Sequence, residues 1–292
     1  DQARLRDTLW MDLEQGQIPA ELEALNEKYR YHFAEGVFRV FLIQADVKDN
    51  KNLSEHYAEN VMELLNSKLL GLFEKYVADL CMDSEVFCRG RKAAGILNCG
   101  REQTQEVRNA LEALIVALSQ ELHAFEYMRF HLAVSGTVSD PGRLPDCVRE
   151  AELAMGQRLL VRNSLFLEEI PENVKFNSDE LYKSFSVSVR QSLDLQEPEQ
   201  LKKGIEELHQ RAMELHLNGE QLLRLVKDAY RLFLLSGMFQ SEYHFENREE
   251  REESFYRKAE LCSSHENLFA YLAQVCRKNM EDACAWFNIE KM

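Results

Sequence analysis

Phe38-Arg39-Val40-Phe41-Leu42-Ile43-Gln44-Ala45 is the stretch that decides the fold. It is rich in β-branched and aromatic residues, and its apolar positions run on without a helical period. Such a run reads as a largely buried strand. Polar residues from Asp46 to Asn52 end it. On its N-terminal side the period is helical. Leu5, Leu9 and Leu13 recur every four residues, so Leu5 to Glu14 reads as a short helix, and Pro19 to Tyr29 as a second.

On the C-terminal side a long helix is expected from about Ser54 to Leu80, with Tyr57, Val61, Leu64, Leu65, Leu72, Phe73, Tyr76 and Leu80 along one stripe. Val86 to Arg89 and Ala93 to Leu97 read as two short strands, with Gly90-Arg91 as a tight hairpin turn. A helix over Thr104 to Phe125 follows. Arg129 to Ser135 then alternates as a half-buried strand does. Gly136 to Gly142 is a loop, and Pro145 suits the first turn of another helix. Strand, helix, strand hairpin, helix, strand, helix predicts an α+β fold with an antiparallel-containing sheet under packed helices.

After about Phe166 the strand signals stop. Asp179 to Leu193, Glu199 to Leu215, Glu220 to Leu235, Arg248 to Leu261 and Glu266 to Phe287 all read as helices, with Asn218 as a cap and Gly237 as a stop. The expected organisation is a helical linker over 1–36, an α+β domain over 37–168 and an all-α helical bundle over 169–292. The length of 292 residues fits more than one domain.

Composition narrows the function classes. The net charge is −15, with 35 Lys and Arg against 50 Asp and Glu, and no dense basic run is present. Nucleic-acid binding rests on phosphate neutralisation, so direct binding by this chain is not expected. No apolar run approaches the roughly 18–20 residues that span a bilayer. The 7 Cys lack the dense spacing of a secreted disulfide scaffold and read as thiols of a reducing, cytoplasmic compartment.

Catalytic and metal motifs are missing. There is no CxxC pair, no HExxH, no Walker-type phosphate loop and no GxGxxG. Cys276 with Cys284, and Cys262 with His265, are isolated pairs where a structural zinc takes four ligands. The eight histidines stand in no local catalytic motif and read as surface or partly buried residues. The aromatic group Tyr230, Phe233, Phe239, Tyr243 and Phe245 reads as helix core, and Trp10 and Trp286 as packing or contact residues. No metal and no cofactor are expected.

With that strand order, the first part resembles the diguanylate-cyclase fold, named for its Gly-Gly-Asp-Glu-Phe hairpin. The resemblance implies a nucleotidyl-cyclase-like, ferredoxin-like sheet in a degenerate form. The equivalent stretch here is Gly90-Arg91-Lys92-Ala93-Ala94, in which Lys92 and Ala93 stand where the family has its two acids. The family's carboxylates hold magnesium. Asp46 matches one of them in position but has no acidic partner in the hairpin, so an active nucleotidyl cyclase is not expected.

A narrower resemblance is to AraC-type two-component response regulators. It rests on the strand Arg129 to Ser135, the loop Gly136-Thr137-Val138-Ser139 and the helix Leu144-Pro145-Asp146-Cys147-Val148-Arg149-Glu150-Ala151. Leu5 to Gly16 resembles the linker after a receiver domain, and Asp179 to Leu235 the bundle before a helix-turn-helix. This implies the middle region of a bacterial transcription regulator. Its receiver and AraC-type helix-turn-helix domains would be absent from this chain. The function expected is non-catalytic signal coupling, with a homodimer paired through Leu5 to Tyr29 and no membrane contact. The rival expectation is a ligand-sensing domain that binds a nucleotide or small metabolite through Arg89, Arg91 and Lys92.

Overall fold

The computed structural model describes residues 2–48, 55–89, 92–161, 164–236 and 248–290, without the side chains of residues 55–59, 89 and 283–290. The chain divides into two compact units, Asp1–Pro171 and Glu172–Met292.

Unit 1 is α+β. Its elements are α1 (Gln2–Gln15), α2 (Leu22–Tyr29), β1 (Val37–Val47), α3 (Glu55–Tyr76), β2 (Asp83–Arg89), β3 (Lys92–Cys99), α4 (Thr104–Glu121), β4 (Met128–Val134), α5 (Leu144–Gly156) and β5 (Phe166–Leu167). The five strands form one sheet in the order β2-β3-β1-β4-β5. β1 is central and antiparallel to both β3 and β4, while β5 lies parallel to β4. The sheet is therefore mixed. The two-residue strand β5 is too short to show a period of its own, which hid it in the sequence.

The apolar run in β1 is explained by cover on both faces. Val37, Phe41, Ile43 and Ala45 face a core shared with α3 and α4, including Val61, Leu65, Leu111 and Leu114. Phe38, Val40 and Leu42 face a second core with residues of α1, α2 and α5, including Leu9, Leu13, Leu25, Cys147 and Ala151. A central strand covered on both faces has no solvent side to make polar. Each fully buried aliphatic or aromatic side chain of this strand contributes about 1.5–3 kcal/mol. Phe41 lies across from Gly95 in the register. A Cβ at Gly95 would fall 2.1 Å from the Phe41 ring, so the ring occupies the space a side chain would need.

The helices assigned to a separate linker over 1–36 are instead part of unit 1. Leu9, Trp10 and Leu13 of α1 and Leu25 and Tyr29 of α2 are buried. Trp10 packs edge-on against Phe87, with centroids 4.8 Å apart. Asp12 ties the two helices by accepting from Lys28 Nζ at 2.9 Å and Tyr29 Oη at 2.5 Å. The apolar stripe read as a pairing surface for a second copy is largely spent inside the same unit, because Leu9 and Leu13 are 1% exposed.

Among the described residues, the regular elements of unit 2 are all helices: α6 (Ser178–Leu195), α7 (Pro198–Glu214), α8 (Gly219–Leu234), α9 (Arg248–Ala259) and α10 (His265–Glu290). Asn218 caps α8. Its side chain accepts from Gln221 N at 2.9 Å, and Gln221 Oε1 accepts in return from Asn218 N at 3.2 Å. This is a reciprocal capping box. The same two side chains hold the start of the unit. Asn218 Nδ2 donates to Glu172 O, and Gln221 bonds both N and O of Val174. In the aromatic group, Tyr230 and Phe233 are buried, and Tyr230 stacks on Phe255 at 4.0 Å. Phe239, Tyr243, Phe245, Gly237 and the Trp286 side chain lie outside what is described. Among the described residues, no helix is long and apolar enough to cross a membrane.

Candidate functional site

The hairpin of β2 and β3 pairs Arg89 with Lys92. Gly90 and Arg91 lie outside the described residues, as does the side chain of Arg89. Lys92 is exposed, and Ala93 is buried in the core under α3 and α4. At the two positions where the resemblance calls for acids, one side chain is an exposed cation and the other an apolar core methyl.

Asp46 sits near the C-terminal end of β1 and is 0% exposed. Both of its oxygens are engaged. Oδ1 accepts from Gln44 Nε2 at 2.8 Å, and Oδ2 accepts from Arg158 Nε at 2.9 Å. Arg158 is 4% exposed and lies in the 3-10 turn Gln157–Leu159 directly after α5. Its Nη1 donates to Met155 O at 3.2 Å. Strand register brings the remaining members together, since Gln44 pairs with His131 and Asp46 with Arg129 across β1 and β4.

His131 is also 0% exposed. Its reading as a surface or partly buried residue is corrected here. The two core-forming rows of β4 leave His131 facing the same side as Gln44 and Asp46. Its Nδ1 lies 3.1 Å from Ser164 O, and its Nε2 lies 3.5 Å from Asp46 Oδ2. Burial pushes the Asp46 carboxyl up to about 6, with Arg158 pulling the other way. Burial, then the Arg158 charge, pushes His131 down to about 3.

This cluster does not fit magnesium. A hard divalent cation takes several oxygen ligands with waters. Here the single carboxylate is held by a guanidinium and an amide, and the hairpin adds no acid. Among the described residues, no group of three or more His, Cys, Asp or Glu side chains is placed to hold a metal. Cys262 Sγ donates to Lys258 O, and His265 Nδ1 lies 2.8 Å from His209 Nε2.

A second feature belongs to unit 2 alone. A groove of about 470 Å³ runs between α7 and α10, with Leu201, Ile205, His209, Phe269 and Ala273 among its lining residues. His209 stacks on Phe269 at 4.3 Å, and its Nε2 lies 2.8 Å from His265 Nδ1. Burial, then the neighbouring His265, lowers the His209 pKa. The size and mixed lining match an ordinary small-molecule pocket. No motif marked this groove, because its walls come from helices about sixty residues apart in sequence.

No family model matches the chain, and no curated protein matches it. Among solved structures, it is similar to a regulator of polyketide synthase expression from Bifidobacterium adolescentis. The identity is 12%, over 95% of this chain and 94% of that one, with a TM-score of 0.34. A likeness at that level establishes neither fold nor function for this chain.

Proposed function

We propose that this chain is a non-catalytic regulatory and signal-coupling region of a bacterial transcription regulator. It would link a receiver domain to an AraC-type DNA-binding domain, both outside these 292 residues. The observation that supports the non-catalytic reading is the pairing of Asp46 with Arg158. In a cyclase-like sheet the carboxylate at the end of the central strand is needed for metal. Here that carboxylate is buried against a guanidinium, with an exposed lysine and a buried alanine in the hairpin. The fold would then serve as a rigid body, with α1 and α2 packed into it rather than free to pair.

Incubation of the chain with GTP and magnesium, followed by mass spectrometry, tests this reading. Unchanged GTP is expected, and a cyclic or linear guanylate product would overturn it. A dilution series by analytical ultracentrifugation tests the homodimer, and a monomer at all concentrations would remove it.

A second reading, ligand sensing, is favoured by the groove in unit 2 rather than by Arg89, Arg91 and Lys92. Thermal-shift screening against nucleotides separates the two placements. A shift abolished by Phe269→Ala points to the groove, and one abolished by Lys92→Ala points to the hairpin.

A further inference from the structure

His131 stands between two acceptors. Ser164 O lies 3.1 Å from Nδ1, and Asp46 Oδ2 lies 3.5 Å from Nε2. A neutral imidazole carries one N–H, so it satisfies one of these and turns a lone pair on the other. With the N–H on Nδ1 donating to the Ser164 carbonyl, the Nε2 lone pair faces the Asp46 carboxylate. Among the described residues, Nε2 has no hydrogen-bond partner. With both side chains 0% exposed, water does not relieve the conflict. An unmet buried acceptor is costly. One more proton removes the conflict, because a protonated Asp46 donates where the ionised one repels.

We propose that Asp46 and His131 form a buried proton switch. One proton taken from solvent onto Asp46 Oδ2 is donated in a hydrogen bond to His131 Nε2, and closes a chain of bonds from β1 through β4 to Ser164. Loss of that proton returns Asp46 to the carboxylate, leaves two lone pairs facing each other, and opens the chain at that link.

The surroundings suit this role. The charges whose fields reach the pair are Arg158, from the turn after α5, and Arg129, from β4. Gln44 adds a neutral donor from β1. Both arginines oppose protonation, and burial of the carboxylate favours it. Burial is the larger effect, which places the transition near pH 6 rather than in the usual carboxylate range. His131 stays neutral through that window, since the same burial and charges hold its own protonation near pH 3. The switch lies at a structural crossing. Ser164 lies just before β5, the last strand of unit 1, where Leu132 N donates to Leu165 O at 2.8 Å.

Nuclear magnetic resonance on the full chain, labelled at histidine nitrogens and aspartate carboxyls, tests the proposal. Between pH 7.5 and pH 5, the His131 Nε2 resonance is expected to pass from an unbonded to a hydrogen-bonded acceptor without becoming imidazolium. The Asp46 carboxyl is expected to titrate in step with it. In Asp46→Asn the side-chain amide donates permanently, so Nε2 should show the bonded value at every pH. A resonance that stays constant in the native chain, or that moves equally in Asp46→Asn, overturns the proposal. If Asp46→Asn does not fold, the coincidence of the two native titrations decides, and titrations at different pH values refute the shared proton.

Discussion

Arg158 Nε and Asp46 Oδ2 are 2.9 Å apart, both side chains are essentially excluded from solvent, and 112 residues separate them in sequence. This pair joins the end of the central strand to the turn after α5. Its energetic character follows from burial. Attraction between the two charges offsets their loss of hydration, so breaking the pair from one side leaves the other charge uncompensated.

Arg158→Leu is therefore expected to destabilise unit 1 by about 3–5 kcal/mol. The double variant Asp46→Leu with Arg158→Leu should recover most of that loss, since neither charge remains buried. Denaturant unfolding followed by tryptophan fluorescence, with Trp10 buried in unit 1, measures both. Equal loss in the single and double variants would show that packing, not charge, is what the pair supplies.

The pH dependence of stability has two opposing parts here. Asp46 has a folded pKa near 6, above its ordinary value, so its contribution is fully present below about pH 4 and lost as pH rises to 6. His131 has a folded pKa near 3, below its ordinary value, so its contribution is present above about pH 6.5 and lost as pH falls toward 3. Between about pH 4 and 6 the two slopes nearly cancel, because the unfolded chain holds a proton on histidine while the folded chain holds one on aspartate. In Asp46→Asn only the histidine part remains. Relative to the native chain, its stability should fall by about 1.4 kcal/mol per pH unit on acidification between about pH 6 and pH 4. Chemical denaturation at stepped pH checks the difference in slope.

Gly95→Ala is expected to destabilise the sheet by about 1–3 kcal/mol, the range for overpacking a filled core. The new methyl would meet the Phe41 ring, and the backbones of the two residues are held opposite each other by the strand register. Gly95→Ala combined with Phe41→Leu should be less damaging than the sum of the two single changes. Additive losses in a double-mutant cycle would contradict the contact.

Asn218→Ala removes the cap of α8 and the bonds to Glu172 O and Asn173 Oδ1. A loss of about 1–2 kcal/mol is expected from the cap. The backbone amides near Val174 should lose hydrogen-exchange protection as well, because Gln221 is positioned by the same box. Loss of stability without any change at Val174 would separate the cap from that anchor.

Much of the architecture is legible in local patterns. The β1 run reads as a strand because it is apolar on both faces, and α4, α7 and α8 read as helices because their buried residues recur on one side. The order of strands and helices along the chain that follows is the observed one as far as α5, while the order of strands across the sheet was not read from the sequence. The fate of α1 and α2 was not legible. Leu5, Leu9 and Leu13 mark one apolar face, but a stripe does not say whether it meets a second copy or its own sheet. Of the site, the sequence marked Asp46 alone. Lys92 and Ala93 in the hairpin showed where acids are lacking, while His131 and Arg158 carried no signal at all.

By itself the sequence determined the period of each long element, the α+β then all-α order and the placement of Lys92 and Ala93 rather than acids after the hairpin turn, because these depend on residue type at fixed local spacing. Only the tertiary structure decided that Asp46 meets Arg158 and His131, and that the first two helices belong to the sheet. A buried charge is tolerated through partners at a distance in the chain, and strand register and helix docking bring those partners within bonding reach.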